Sequence, residues 1–303
     1  MAGGTAVILV FDVGGTGVKY GTADEQGNFL AQGRFDTPVS GLEEFLEKVE
    51  DVYRQAGDVS VIEGLAFSFP GEVHSREGVI RGISAVPYIH EVELKSILER
   101  RFFGLPVTMA NDAKCAALGE LWKGVAQKCG NVVFVICGTG IGGAVIEHGK
   151  LYRGVTMNRG EFGNFPMGGF ENGELLTWSD YTLEKQARKY GEKRNRTITG
   201  KELARLAEAG EELAVGLLDE FYYRMAVGCI ILEFSFDPEI IAIGGGISEN
   251  QRIIQGIRKK TEELLEGQRP GYLRPNICAC KGGNQANLYG ALYYYLHQDV
   301  MEE

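Results

Sequence analysis

One pattern occurs twice in this chain and restricts its fold more than any other feature. A strand-like run ends in a glycine turn, a second run follows, an acidic-x-Gly turn reverses it, and a third run closes the motif. The first copy covers residues 7–36, where Val7 to Asp12, Val18 to Asp24 and Asn28 to Asp36 are joined by GGTG and EQGN. The second covers residues 131–153, with GTGIGG and EHGK as its turns. Turn-forming residues between apolar runs predict antiparallel meanders. Two such meanders, each followed by helix and strand, predict two duplicated α/β halves facing a cleft.

The segments between the meanders support that division. Leu42, Phe45, Leu46, Val49 and Val52 recur at helical spacing across residues 41–56, and Val61 to Phe69 reads as a strand ending at Pro70-Gly71. A helix over about Val92 to Phe103 precedes a strand at Pro106 to Ala110, and a helix follows Asn111-Asp112 through Glu120. From Gly160 to Trp178 the chain reads as irregular. From there to Phe236 it reads as helical support, with Lys201 to Ala209 and Glu211 to Phe234 as the main runs. A strand into Gly244-Gly245-Gly246, a helix over Asn250 to Leu265, a strand at Asn276 to Cys280 and a helix from Gln285 complete the chain. The expected domains are 1–110 plus about 286–303, a smaller α/β domain, and 111–285, a larger one.

Charge and cysteine usage exclude several classes. The formal charge is −10 and the basic residues are scattered, so no phosphate-neutralising stripe exists for nucleic acid. The six cysteines show no CxxC spacing and read as reduced thiols. The run MAGGTAVILVFD has no basic region before it and leads into a polar glycine turn, which fits neither a signal peptide nor a membrane span. The expected location is the cytoplasm.

The glycine turns carry the chemistry. In FDVGGTGVKYG, Asp12 ends a strand and Gly14, Gly15 and Thr16 follow, so backbone N–H groups can approach an anion without Cβ obstruction. No GxxxxGK[ST] is present, and a strand rather than a helix follows the glycines, so neither familiar phosphate loop applies. A lone GGT is more often just a tight hairpin than a phosphate cradle. The second turn, Gly138-Thr139-Gly140-Ile141-Gly142-Gly143, holds more glycine than a hairpin requires. Gly244, Gly245 and Gly246 form a third turn that would let a nucleoside lie against the backbone. Asn111-Asp112 before a helix reads, on spacing alone, as a helix cap.

Taken in order, DVGGTGVKYG, FSFPGEV, NDAKCAALGE, GTGIGGAVIEHGKLYRG, GEFGN and DPEIIAIGGGIS resemble the ROK sugar kinases across nearly the whole chain. The resemblance implies an actin-like, ribonuclease H-like two-domain ATPase fold and ATP-dependent phosphorylation of a sugar hydroxyl, the 6-hydroxyl by family habit. It implies that Asp112 is the general base and that Asn111 binds a neighbouring hydroxyl. Asp12 would place Mg²⁺ through water, and the amides of Gly14, Gly15, Thr16, Gly138, Thr139 and Gly140 would hold phosphates. Gly71, Glu161 and Asn164 would line the sugar site. Lys19 is either a phosphate contact or an exposed strand residue. Homodimers occur in the family.

The chain departs from many members at one place. Where they have a histidine followed by CxCGxxGC, this chain has Asn164 and then GNFPMGGFENGELLTWSD without Cys or His, so no structural zinc is expected. That resembles the zinc-less branch, which includes β-glucoside kinases and N-acetylmannosamine kinases. Phe162, Phe165, Phe170 and Trp178 are candidates to stack on a sugar or aglycone, or are core. The family glutamate that ends the zinc motif corresponds to Glu174 or to Asp180. The family also contains sugar-responsive regulators; the alternative reading is such a binding protein, against which Asp112 stands.

Overall fold

Strand β1 (Val7–Val13) is buried at every position, as expected of a strand covered on both faces. In the computed structural model, which describes residues 6–57, 61–171, 173–268, 271 and 274–302, it is the centre of a five-stranded sheet. β2 (Gly17–Ala23) pairs with it antiparallel and β3 (Phe29–Asp36) extends the meander. On its other side β4 (Ile62–Phe69) runs parallel, followed by β7 (Val107–Asn111). The order is therefore β3-β2-β1-β4-β7. Helix α1 (Leu42–Gln55) places Phe45, Leu46, Val49 and Val52 on one buried face, each such side chain contributing roughly 1.5–3 kcal/mol. Between β4 and β7 lie a small antiparallel pair, β5 (Glu72–His74) and β6 (Val79–Arg81), and helix α2 (Leu94–Arg101). Helix α3 (Asp112–Lys123) begins directly at the end of β7.

Two compact units divide the chain. The first takes the described residues through Gln127, then Lys150–Met157, then the segment from Asn284 onward; the second takes Lys128–Gly149 and Asn158–Gly283. In the second unit β8 (Val132–Cys137) and β9 (Ile141–Glu147) form the antiparallel hairpin. The strand β10 (Lys150–Tyr152) returns to the first unit. The stretch expected to be irregular contains β11 (Pro166–Glu171) and β12 (Glu174–Thr177), paired antiparallel. Gly168 and Gly169, at φ +81° and +89°, coincide with the irregular register of that pair, so no alternation of apolar residues announces it.

Helices α4 (Leu183–Arg194), α5 (Gly200–Glu208) and α6 (Glu212–Phe236) follow. α6 buries Phe221, Met225, Cys229 and Leu232 in the core of this unit. β13 (Ile240–Gly244) runs parallel to β8, and after α7 (Gln251–Gln268) β14 (Ile277–Ala279) runs parallel to β13.

The chain then re-enters the first unit as α8 (Ala286–Leu296) and β15 (Met301–Glu302), which pairs parallel with β10. α8 packs along α3 with main chain against main chain: a Cβ on Gly119 would lie 2.1 Å from the Ala286 carbonyl oxygen, and one on Gly290 would lie 1.7 Å from that of Cys115. Among the described residues no helix is long and apolar enough to cross a membrane.

Candidate functional site

In the first unit the parallel alignment of β1, β4 and β7 brings the ends of three strands side by side. Asp12 stands opposite Ser68, and Phe69 opposite Asn111. Asp12 is 9% exposed, and its Oδ1 accepts from Ser68 Oγ at 3.1 Å and from Asn287 Nδ2 at 2.8 Å. Lys19, its partner across the hairpin, donates Nζ to Oδ2 at 3.4 Å. The turn beyond is closed by Gly14 N–H donating to Gly17 O at 3.1 Å and is tied from outside by Thr37 Oγ1 donating to Gly14 O. Gly15 and Thr16 are left exposed at the tip. A Cβ on Gly15 would lie 2.5 Å from that of Ala85.

Asn111 is the N-cap of α3. Its Oδ1 accepts from Ala113 N at 3.1 Å and Lys114 N at 3.3 Å, while its Nδ2 donates to Gly71 O at 3.0 Å and Asp112 Oδ1 at 2.9 Å. Asp112, the first helical residue, also accepts from Ala113 N–H through Oδ1 at 2.8 Å. The capping role that spacing suggested is therefore filled by Asn111, and one consequence of it is a fixed orientation for the Asp112 carboxylate. Gly71, at φ +98°, is in a conformation that favours glycine and directs its carbonyl at Asn111. Behind this group, burial pushes the Cys115 thiol well above its ordinary pKa, with Asp12 and Asp112 adding to the shift, so it stays neutral.

The second unit holds the other turn. Gly138 N–H donates to Gly140 O at 2.9 Å, Ile141 N–H to Ser179 Oγ at 3.0 Å, and Thr182 Oγ1 to Thr139 O at 3.3 Å. Gly138 and Thr139 are exposed. Gly245, at φ +81°, brings the third glycine turn so close that a Cβ would lie 2.1 Å from the Cys137 carbonyl oxygen. Burial holds the Cys137 thiol neutral, its pKa pushed up to about 12.

Beside Gly138 and Gly246 opens a cavity of about 660 Å³ whose walls include Lys201, Arg205, Glu208 and Arg252. Glu208 pairs with Arg252 at 2.8 Å and Lys201 with Glu249 at 3.7 Å. Helix α5, which the sequence presented as support, thus lines a ligand-sized space.

Glu161 and Asn164 sit on a tight turn. Glu161 N–H donates to Asn158 O at 3.0 Å and Asn164 N–H to Glu161 O at 3.2 Å. Gly160, at φ +94°, docks the turn on β9, where a Cβ would meet Gly143 O at 2.6 Å. Glu161 is half-buried and Asn164 exposed. Of the four aromatic candidates, Phe162 and Trp178 are core residues, 2% and 0% exposed, and Phe165 stacks against Trp178 at 6.3 Å. Phe170 is 75% exposed. Asp180 caps Thr177, accepting from its N–H at 2.8 Å and its hydroxyl at 3.0 Å, whereas Glu174 is exposed on β12.

Sequence reasoning missed Ser68 and Asn287. Ser68 lies inside the quoted FSFPGEV motif, and the strand register would have placed it beside Asp12. Nothing local marks Asn287, 275 residues from its partner.

A family model described as the ROK family matches residues 8–298. A β-glucoside kinase of Listeria monocytogenes is 32% identical over 302 residues, covering 98% of this chain and 99% of that protein. A ROK family protein from Streptococcus pneumoniae, solved in complex with sucrose, superimposes with a TM-score of 0.89 at 34% identity, covering 97% and 99% of the two chains. A ROK family glucokinase from Streptomyces griseus, solved with glucose and AMPPNP, does so with a TM-score of 0.77 at 27% identity, covering 95% and 98%. Fold and matches together define a carbohydrate kinase with the mixed α/β architecture of ROK and actin-like ATPase structures. The chain belongs to the ROK family.

Proposed function

We propose that this enzyme transfers the γ-phosphoryl group of ATP to a hydroxyl of its sugar, with Asp112 as the general base. The observation that carries the reading is the carboxylate at the start of α3, fixed through Oδ1 by the Asn111 amide and the Ala113 N–H. Phosphoryl transfer needs little covalent help beyond a positioned proton acceptor and neutralised charge. Asp112 takes the proton from the attacking hydroxyl. The weakest bond of Asn111, the 3.3 Å contact with Lys114 N, is the one a neighbouring sugar hydroxyl would share or replace. Glu161 accepts sugar hydroxyls as a carboxylate can, in pairs. Asn164 and the Gly71 turn complete the proposed sugar contacts.

The turns of Gly14, Gly15 and Thr16 in the first unit, and of Gly138, Thr139 and Gly140 in the second, are the proposed phosphate cradles: the Gly14 and Gly138 N–H groups close the turns, and the amides of Gly15, Thr16, Thr139 and Gly140 are the proposed donors for phosphate oxygens. The cavity beside Gly244 to Gly246 has the size for the nucleoside. Asp12 fits a water-mediated hold on Mg²⁺, a hard cation that keeps several waters and takes few carboxylates. Its Oδ1 accepts from both Ser68 and Asn287, while Oδ2 carries the long Lys19 contact, and Lys19 then serves as a phosphate contact. Bound Mg²⁺ supplies charge neutralisation on the transferring phosphate. The proposed location of the reaction is the cytoplasm, where ATP and Mg²⁺ are available.

The 32% identity to a β-glucoside kinase makes β-glucosides the first acceptors to try, with transfer to the 6-hydroxyl. The test is ADP release against cellobiose and other β-glucosides, glucose, N-acetylmannosamine, N-acetylglucosamine and fructose. One acceptor is expected to stimulate release strongly; equal release with and without every sugar refutes the reading. Asp112→Asn is expected to lower turnover about 10²- to 10⁴-fold, the usual contribution of a general base, while ADP still binds by calorimetry.

A further inference from the structure

We propose that Asn287 is a positioning residue for the phosphoryl transfer: it aims the Asp12 carboxylate, and α8 delivers it in fixed relation to α3, the helix that begins with Asp112. The inference rests on the reading that Asp12 faces the metal ion. Asp12 is nearly buried, so its oxygens require partners. Two donors converge on Oδ1 from different elements, Ser68 Oγ from β4 and Asn287 Nδ2 from the first turn of α8. Two bonds to one oxygen fix the rotation of the carboxylate about its last torsion, which is otherwise broad. The amide bond is the shorter, 2.8 Å against 3.1 Å. It also comes from a planar group that cannot turn its hydrogen elsewhere as a hydroxyl can.

The position of that amide is set by the helix pair. Ala286, immediately before Asn287, touches α3 at Gly119, and Gly290, three residues beyond, touches it at Cys115. Neither glycine has room for a methyl group, so α8 cannot slide or rotate on α3 without separating from it. α3 starts with Asp112, and the first turn of α8 carries the donor to Asp12. The register of β1, β4 and β7 sets the spacing between the proposed base and the proposed metal-facing carboxylate, and helix docking sets where the Asn287 donor meets the latter.

A purely structural bond would affect stability alone, whereas a positioning bond affects the metal requirement. The test compares wild type, Asn287→Ala, Asn287→Leu and Asp12→Asn. It measures turnover of an acceptor the wild type phosphorylates across free Mg²⁺, and calorimetric affinity for ADP with and without Mg²⁺. Removing the donor is expected to raise the Mg²⁺ concentration for half-maximal turnover about 10-fold, the scale of a hydrogen bond to a charged group. The acceptor KM and the Mg²⁺-free ADP affinity are expected to stay as in wild type, and the gain in ADP affinity on adding Mg²⁺ to shrink. A folded Asn287→Ala with the wild-type requirement, beside an Asp12→Asn that raises it, overturns the inference alone. An unchanged requirement in both overturns the assignment of Asp12 with it. Should Asn287→Ala fail to fold, Asn287→Leu, of similar size and without a donor, decides the matter by the same measurement.

Discussion

The two hairpins of this chain share one layout, strand, glycine turn, antiparallel strand, and differ in turn length and in chemistry: four residues separate Val13 from Val18 and three separate Cys137 from Ile141. In the first, Val13 faces Val18 and the pair behind them is Asp12 with Lys19; in the second, Cys137 faces Ile141 and the pair behind is Ile136 with Gly142. Each hairpin is continued by parallel strands in the same order, β1-β4-β7 and β8-β13-β14. Both leave a glycine and a threonine exposed at the tip. What has been repeated is the hairpin with a glycine turn at its tip, the proposed phosphate cradle; the ion pair of Asp12 with Lys19 belongs to the first copy. A second carboxylate aimed at a phosphate would repel it, and at 4 Å that repulsion reaches a few kcal/mol in a partly shielded site. The second hairpin instead places Ile136 and a neutral thiol there.

Replacing the charge breaks the comparison most sharply. Asp12→Asn is expected to lower turnover or Mg²⁺ affinity about 10- to 100-fold, as loss of an outer-shell metal partner does. Cys137→Ala, at the matching end of the second hairpin, is expected to leave the Mg²⁺ requirement of turnover unchanged. Equal effects from the two would mean that the hairpins share one role.

A smaller effect separates the turns by backbone strain. Gly245→Ala must hold φ near +81° with its Cβ against the Cys137 carbonyl, and is expected to lower unfolding free energy by about 2 kcal/mol or more in denaturant titration. At Gly15 the obstruction is the Ala85 side chain alone, and Gly15→Ala is expected to be milder.

The smallest contrast is between buried carboxylates. Glu120 in the first unit accepts from Val125 N–H at 2.8 Å, whereas Oε2 of Glu233 in the second has no hydrogen-bond partner among the described residues. Burial, and then the charge of Asp237, raise the Glu233 pKa above the ordinary glutamate value. From that value up to the raised one, the native state holds a proton the unfolded chain has released, so stability falls as pH rises through the window. Glu233→Gln is expected to flatten that slope and to be the more stable protein at neutral pH, as thermal unfolding at pH 5 and pH 7.5 would show.

Much of this was visible in the residues because it is local. The meanders, α1, β4 and α6 follow from period and turn chemistry, and the order of six motifs pointed to the family that the comparisons establish. The hairpin of β11 and β12 was invisible because Gly168 and Gly169 interrupt its pairing. The contribution of α5 to the cavity was hidden because an amphipathic pattern shows which face is wet and not what the wet face borders. Phe162 and Trp178, plausible stacking partners by type, are consumed by the core. Asn287 was beyond reach for another reason: a hydrogen bond across 275 residues leaves no spacing to recognise.

That same bond bears on how the protein comes to exist on the ribosome. The second unit is inserted into the first in two pieces, Lys128–Gly149 and Asn158–Gly283, and α8 is translated only after both. Until then α3 lacks the helix that Gly119 and Cys115 receive, and Asp12 lacks its shorter donor. Domains tend to fold in the order of their synthesis. Here the half that starts first finishes last, so a nascent chain can complete its inserted unit while the proposed catalytic aspartates still await the helix that fixes them.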